Sequence, residues 1–424
     1  MSTPVIEIRK YRLYPKPEQI ASLEETLESC RRTWNFLLSK RKQFKVSKFE
    51  QDHDIYLRKQ SNVHLKRVYS HVLQNVSDRL DKSFVLFYRR LKCEGQLKRK
   101  DGMLEGYPRF KSFGRYDSFT YPDAYNGSVK LGISLRKTKI YLSKIGYVPI
   151  FVHREPSNGR NKRCTVKREG DKWFAILEYQ VADVSKPSIA IPKDPVGLDF
   201  GLLSIVATSG GETFKPAIPL KKHLKRLQHL QRSLSRKRKG SKNRRKAIVH
   251  LGRFHWKIRS VRSDFNHKLS RSIVSRHDFF TLEDLNVRGM IKNHNLDRSI
   301  SDAGWNQLSR FIKYKAEREG KQVVLVSPYH TSTDCSRCGY RQEMPLSVRT
   351  FHCERCGLEM DRDVNSAHSV LKRGLSEIGV ERSESKPMEI GVQSLNRWEI
   401  QPIEEVGIVK GPDIHEGGSS HKRF

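Results

Sequence analysis

Long apolar runs are missing from this 424-residue sequence. Nothing approaches the ~20 consecutive apolar residues of a membrane-spanning helix, and no basic amphipathic stretch reads as a membrane anchor. The opening residues, MSTPVIEIRKYRLYP, hold no apolar core of the kind a secretory signal carries, so a cytoplasmic, nucleoid-associated protein is expected. Cysteine is scarce and odd in number: of seven, four form two close pairs while Cys30, Cys93 and Cys164 are scattered. That distribution suits a metal site in a reducing compartment better than a disulfide framework. Acidic residues are also few, 46 against 82 Lys and Arg, for a formal net charge of +36. Such a charge repels itself in a compact chain, and the commonest anion that neutralises it is a nucleic-acid backbone. The 36% hydrophobic content is low but compatible with globular order, and the length allows two or three domains, each with its own core. No internal repeat is present.

What is present divides into segments of different period. Residues 5–14, VIEIRKYRLY, alternate as a strand does and are closed by Pro15 and Pro17. From Glu18 to about Leu97 the spacing is helical, with Ile20, Leu23, Leu27, Cys30 and Trp34 on one face, which predicts a helical bundle inserted after the first strand. Residues 103–183 return to strand patterns such as KIYLSKIG and KWFAILEYQV. A small β-barrel that reclaims the N-terminal strand accounts for both. A proline-punctuated linker, SKPSIAIPKDP, marks a domain boundary near residues 185–195. Beyond it lie two short strands in VGLDFGLLSIVATSGGE, a basic helical region at 221–275 broken near KGSKN, the strand DFFTLEDL, the helix WNQLSRFIKYKAEREG and the strand KQVVLVSP. The cysteine segment follows, then a last helix from about Val364 to Lys372. Strands alternating with helices around an apolar sheet predict an α/β core. Residues 374–424 lose this regularity and are expected to be largely disordered.

Cys335-Ser-Arg-Cys338 and Cys353-Glu-Arg-Cys356 are each followed by glycine. Each C-x-x-C-G knuckle offers two thiolates from one tight turn, and two knuckles complete a tetrahedral zinc site. Two disulfides or unligated thiols are the plainer readings, and the spacing favours a zinc ribbon. With no open ligand position the zinc is expected to be structural.

Asp199 interrupts an apolar strand in VGLDFG, and Glu283 interrupts another in DFFTLEDL. A carboxylate in such a place is costly unless paired or bound to a cation. If the two strands are neighbours and the last helix starts beside them, an aspartate of DRDVN, either Asp361 or Asp363, joins them in a site for two Mg²⁺ ions suited to phosphodiester hydrolysis. The basic region 221–275 has leucines at helical spacing and scarcely any offsetting acid, which favours a surface that tracks phosphates over a merely solvated helix. His255, Trp256 and Phe265 interleave with its cations as possible base-stacking groups, with core packing the stronger expectation for Trp256 and Phe265.

In combination, YRLYPKPEQ, CRRTWN, GYPRFKS, SFTYP, VGLDFGLLSIVATS, LEDLNVRGM, SDAGWNQL, YHTSTDCSRCGY and FHCERCGLEMDRDVNSAHSVL resemble the TnpB (OrfB) family of transposon-encoded proteins, relatives of the type V CRISPR effector nucleases. The resemblance spans most of residues 5–373 and implies an RNA-guided DNA endonuclease of α+β multidomain build. Its RNase H-like (RuvC) core carries an inserted zinc ribbon, and a β-barrel wedge domain with an inserted helical recognition lobe precedes it. On this sequence the implied division is 1–16 and 101–185 for the wedge, 17–100 for the recognition lobe, 186–330 for the core with its basic insertion, 331–360 for the zinc ribbon and 361–373 for the last core helix.

The family's acidic triad falls on Asp199, Glu283 and Asp363, holding catalytic Mg²⁺, and its zinc ligands fall on Cys335, Cys338, Cys353 and Cys356. The family motif Asp-x-Asn-Ala-Ala corresponds to Asp363-Val364-Asn365-Ser366-Ala367, with Ser366 a small-for-small replacement. Helix periodicity agrees, taking Val364, Ala367 and Leu371 as the buried stripe and leaving Asp363 in the first turn, where its plainer reading is an N-cap. Asp361 then lies in the preceding loop, free to pair with Arg362 or orient a ligand. Implied partners are a guide RNA and double-stranded target DNA bearing a short flanking motif read by the protein. Tyr11, Tyr14, Tyr107, Phe110 and Tyr121 are candidates for holding them. A guide-directed binder that does not cleave and a strand-transferring transposase are the alternative functions.

Overall fold

The alternation at the N-terminus becomes strand β1 (Val5–Leu13), and the following helical spacing becomes α1 (Pro17–Gln43), α2 (Lys48–Ser61), α3 (Val63–Lys66) and α4 (Ser70–Glu94). Six strands follow: β2 (Ser118–Tyr121), β3 (Val129–Gly132), β4 (Lys139–Leu142), β5 (Gly146–Phe151), β6 (Arg160–Glu169) and β7 (Lys172–Val181). They join β1 in a seven-stranded sheet of order β2-β6-β7-β1-β5-β4-β3. β1 pairs antiparallel with β7 from Val5↔Val181 to Leu13↔Trp173, so the first strand lies inside the sheet although helices separate it in sequence from its partners. Leu23, Leu27, Cys30 and Trp34 of α1 pack with Val72, Leu73 and Leu80 of α4 and with Tyr11, Phe119 and Tyr121 of the sheet in one apolar core. Ile20 is 36% exposed at its edge. Cys30 and Cys164 are wholly buried, and burial pushes the Cys30 thiol up to about 12, as expected of inert core thiols.

This computed structural model describes residues 5–43, 46–94, 106–132, 138–181, 192–345 and 348–379. Most of the linker read at 185–195, and the tail from residue 380 onward, lie outside the described residues. None of the described helices is long and apolar enough to cross a membrane.

The second sheet is assembled from β8 (Pro195–Asp199), β9 (Val206–Thr208), β10 (Thr213–Phe214), β11 (Phe279–Glu283) and β12 (Gln322–Val326) in the order β10-β9-β8-β11-β12. β8, β11 and β12 run parallel, whereas β9 is antiparallel to β8 and β10 to β9. The basic region forms α5 (Pro219–Ser235) and the 35-residue α6 (Lys242–Arg276), about 50 Å long at 1.5 Å per residue. Then come α7 (Val287–Met290), α8 (Asp297–Ala303) and α9 (Trp305–Arg318), and finally the ribbon strands β13 (Thr350–His352) and β14 (Glu359–Asp361) and helix α10 (Arg362–Glu377).

Strand period decides what faces what. Val196, Leu198, Phe280 and Leu282 point to one face, packing with Leu269 and Ile273 of α6 and Leu308 and Ile312 of α9. Gly197, Asp199, Thr281 and Glu283 therefore point to the other, where α10 lies across β8, β11 and β12. Small residues bring that helix close: a Cβ added to Gly197 would stand 2.1 Å from the Ala367 carbonyl oxygen, and one added to Gly374 would stand 2.1 Å from Thr281 Oγ1. Gly197→Ala is therefore expected to lower stability by about 3 kcal/mol, the upper range for overpacking a core, as read from a denaturant melt.

α10 differs from expectation in length and in its stripe. It continues to Glu377, and its fully buried set is Asn365, Ser366, Ala367, Ser369, Val370, Gly374 and Leu375, with Arg362. Val364 and Leu371 are only half-buried. The reason is that the helix is covered by the sheet on one side and by the zinc-knuckle loop on another, so polar residues with partners in that loop are buried as well.

Candidate active site and zinc knuckles

The parallel register Thr281↔Gly197 and Leu282↔Leu198 sets Asp199 and Glu283 side by side at the ends of their strands. Each carboxyl acts on the titration of the other. Asp363, in the first turn of α10, adds its charge to the same place. Burial, then the charges of Glu283 and Asp363, push the Asp199 carboxyl well above the ordinary range. Burial raises Glu283 as well, opposed by the Thr331 hydroxyl, Asp199 and Arg373. Asp363 is raised by burial and then by Asp361, against Arg349 and Arg362. Three carboxylates so placed cannot all ionise cheaply unless a cation joins them, and their oxygens are the hard donors that Mg²⁺ prefers.

Asp361 has a different task. Its Oδ1 accepts from the backbone N–H groups of Asp363 at 2.9 Å and Val364 at 3.2 Å, capping α10. The capping role considered for Asp363 belongs to Asp361, and the pairing of Asp361 with Arg362 is not found, because Arg362 turns inward to donate to the Pro345 carbonyl at 3.1 Å.

In the ribbon the four Sγ atoms of Cys335, Cys338, Cys353 and Cys356 lie within 4.8 Å of one another. The Cys335–Cys356 and Cys338–Cys353 pairs are each 3.6 Å apart. That is far too long for a disulfide, at about 2.05 Å, and close to the ~3.8 Å edge of a tetrahedron with zinc–sulfur arms of about 2.3 Å. Gly339 and Gly357 turn each knuckle with φ of 72° and 64°, a region open to glycine. The cysteines thus fit a closed, structural zinc site.

Comparison with known proteins places the chain in a family. Residues 177–294 match a family described as "Probable transposase", residues 305–370 match "Cas12f1-like, TNB domain", and residues 1–44 match a "Helix-turn-helix domain". The last segment is here a strand followed by one 27-residue helix. The chain is 32% identical over 386 residues to a "Putative RNA-guided DNA endonuclease" of Streptomyces pristinaespiralis, covering 87% of this chain and 89% of that protein. It is 33% identical over 284 residues to "Putative RNA-guided DNA endonuclease InsQ" of Escherichia coli (strain K12), covering 63% and 68%, and 25% identical over 229 residues to the mimivirus "TnpB-like protein L79", covering 51% and 44%. The chain belongs to the TnpB (OrfB) family. Among solved structures it is similar to a Cas12f1–sgRNA–target DNA complex, with 15% identity, TM-score 0.32 and coverage of 87% and 99%, and to CasPhi-2 (Cas12j) bound to crRNA, with 11% identity, TM-score 0.40 and coverage of 91% and 100%.

Several residues of this TnpB member that shape the site have no local mark in the sequence. Thr331, from YHTSTDC, donates its hydroxyl to Glu283 Oε1 at 2.7 Å. Ser366, a small-for-small replacement in the TnpB motif, adds a hydroxyl that acts to lower the Asp199 carboxyl against its burial. Asn365 staples the first knuckle to α10, accepting from Ser336 N–H and donating to the Asp334 carbonyl, both at 3.0 Å. Arg373 donates to the carbonyls of Ser327 and Tyr329 and to the Asp334 carboxylate. Arg349 of the ribbon brings Nη1 to 3.9 Å from Asp363 Oδ1. Thr331→Val keeps the volume and removes the donor; with Glu283 as a cation ligand, a fall of about tenfold in DNA cleavage rate is expected, the lower range for losing a group that orients such a ligand. A time course with saturating protein measures it.

The aromatic candidates divide otherwise than expected. Tyr11 and Tyr121 are wholly buried, donating to the carbonyls of Arg154 and Ser143, and Tyr107 meets Phe84 and Phe87 edge-on. Tyr14 and Phe110 remain exposed. Trp256 donates to Glu169 at 3.2 Å beneath Lys172, and Phe265 packs on the core, so His255 is the exposed member of its trio.

Proposed function

We propose that this TnpB protein is an RNA-guided, Mg²⁺-dependent DNA endonuclease. The observation that carries the reading is the placement of Asp199 and Glu283 at the ends of neighbouring parallel strands, with Asp363 in the first turn of the helix that packs on those strands; burial raises all three carboxyls there. The strand order, with one antiparallel neighbour beside three parallel strands and an acid at the end of β8, supports an RNase H-like (RuvC) core. The seven-stranded sheet is then the wedge, α1–α4 the recognition lobe, and residues 331–360 the zinc ribbon inserted before the last core helix.

In this mechanism Asp199, Glu283 and Asp363 hold the cations. Bound Mg²⁺ supplies activation of the attacking water and stabilisation of the leaving 3′ oxygen. Thr331 fixes the Glu283 carboxylate, so its oxygens are preset to bind. Asp361 holds the turn that presents Asp363. The α5–α6 hairpin, with Asp264 as its single acid between residues 221 and 275, tracks phosphates without reading sequence. Sequence is read by guide pairing, with the protein reading a short flanking element.

Protein purified with its co-expressed RNA should cut a matched plasmid in Mg²⁺, and Asp199→Ala should abolish cutting. Persistent cutting by that variant overturns the assigned mechanism; tight binding without scission in any divalent cation establishes a guided binder instead, and joined 3′ ends on transposon DNA a transposase. Asp361→Ala should cost about 1 kcal/mol of stability through the lost cap while retaining most of the cleavage rate, whereas Asp363→Ala should lose it. Melting curves and cleavage rates on the two variants separate the roles.

A further inference from the structure

SDAGWNQ, the stretch between α8 and α9, sits where the basic hairpin meets the carboxylate site. Asp302 is 4% exposed and has three donors: the backbone N–H groups of Leu220 and Lys221 at 3.0 Å each, and Arg262 Nη2 of α6 at 3.3 Å. One carboxylate thereby holds the first turn of α5 and the shaft of α6. Its grip coincides with an unusual backbone. Ile218, just before Pro219, has φ 39° and ψ 49°, left-handed values that a β-branched residue adopts only when its surroundings compel it. Three residues beyond Asp302, Trp305 Nε1 donates to the Gly201 carbonyl at 3.1 Å, in the loop that leaves Asp199. That loop is close to the triad, since a Cβ on Gly201 would stand 3.8 Å from Asp363 Oδ2. Gly304, between Asp302 and Trp305, has φ 70°, and a Cβ there would meet the Arg262 side chain at 2.9 Å, so the two contacts share one tightly fitted turn.

We propose that Asp302 and Trp305 are positioning residues that join the basic hairpin to the carboxylate site: Asp302 sets the hairpin's direction and hence nucleic-acid affinity, and Trp305 sets the loop after Asp199 and hence the rate. Arg253 pairs with Asp171 and Trp256 with Glu169 midway along α6, so the hairpin is fastened to the β6–β7 turn as well as at its root. Only the root fastening shares a turn with the catalytic loop. The rate half rests on the endonuclease reading; the affinity half does not.

The experiment measures two quantities on full-length protein carrying co-expressed guide RNA: the apparent Kd for a labelled matched duplex without divalent cation, and the maximal single-turnover cleavage rate in Mg²⁺. Asp302→Ala is expected to weaken binding about tenfold, since a buried acceptor of three donors is lost, with the maximal rate changed less than about twofold. Trp305→Phe keeps the ring and removes the N–H; it is expected to lower the maximal rate about tenfold with Kd unchanged. Ile218→Gly removes the left-handed strain, so it should restore most of the binding lost in Asp302→Ala while changing little alone. If Asp302→Ala does not fold, Asp302→Asn decides, with a smaller loss of the same kind. The inference is overturned if both variants move both quantities together, or if Asp302→Ala binds as wild type. Absence of cleavage by the wild type defeats the endonuclease reading instead, leaving the binding arm to judge Asp302.

Discussion

Asp199→Asn should abolish cleavage and at the same time raise the melting temperature of the metal-free protein. Burial and two neighbouring carboxylates hold the Asp199 carboxyl above its ordinary range. The folded state therefore binds its proton more tightly than the unfolded chain does. The stabilisation from that proton is complete below the unfolded pKa, near 3.9, and is lost as pH rises through the raised folded value. Above the raised folded value the ionised trio repels itself, and the neutral amide relieves the strain. A gain of about 1–2 kcal/mol is expected, or a few degrees in Tm, with a pH dependence flatter than that of the wild type. Mg²⁺ should reverse the ranking. At ten times its Kd a bound ion stabilises the wild type by about 1.4 kcal/mol, and the variant, lacking one ligand, should gain far less. Thermal melts at several pH values, with and without Mg²⁺, make the comparison. An Asp199→Asn protein that melts lower without metal yet responds fully to Mg²⁺ would show that these carboxylates are not a cation site.

What could be read from the sequence followed the length scale of each signal. A carboxylate interrupting an apolar strand is a local anomaly, and Asp199 and Glu283 stand out for that reason. The knuckle spacing is local too, and the four sulfurs do converge. Alternation in β1 is also legible, but its one aromatic misleads: Tyr11 points inward and Arg12 to the other face, a pattern that looks in sequence like an aromatic set among cations for binding RNA. Hydrogen bonds across long separations had no local mark. Thr331 reaches Glu283 across 48 positions and Trp305 reaches Gly201 across 104, and no period in the chain announces either. Ser366 shows the limit of comparing side-chain size alone, because the hydroxyl it adds to the motif acts to lower the Asp199 carboxyl against its burial. The motif spacing picks Asp363 over Asp361, but that Asp361 is the cap shows only in the turn that β14 makes into α10.

Removing zinc should cost cleavage although no ribbon residue is assigned to the chemistry. The ribbon's apolar core is small, chiefly Phe351 and Leu358 between the cysteines, with too little burial to fold unaided. Zinc binding in comparable knuckles contributes about 10–16 kcal/mol, so the metal is the fold of this segment. Its loss should spread along the bonds that Asn365 makes to Ser336 and Asp334 and that Arg373 makes to Ser327 and Tyr329. Thr331 would then leave Glu283, whose carboxylate would lose the hydroxyl that fixes it. A double substitution, Cys353→Ser with Cys356→Ser, is expected to lower cleavage at least about a hundredfold, the upper range for losing the groups that orient metal ligands. The larger core should persist, because β8, β11, α6 and α9 pack without the ribbon. Elemental analysis should find one zinc per wild-type chain and none in the variant. Hydrogen exchange should show protection lost across residues 327–361 while β8 and β11 stay protected. A zinc-free protein that keeps its rate and its ribbon protection would place the positioning of Glu283 in the sheet alone.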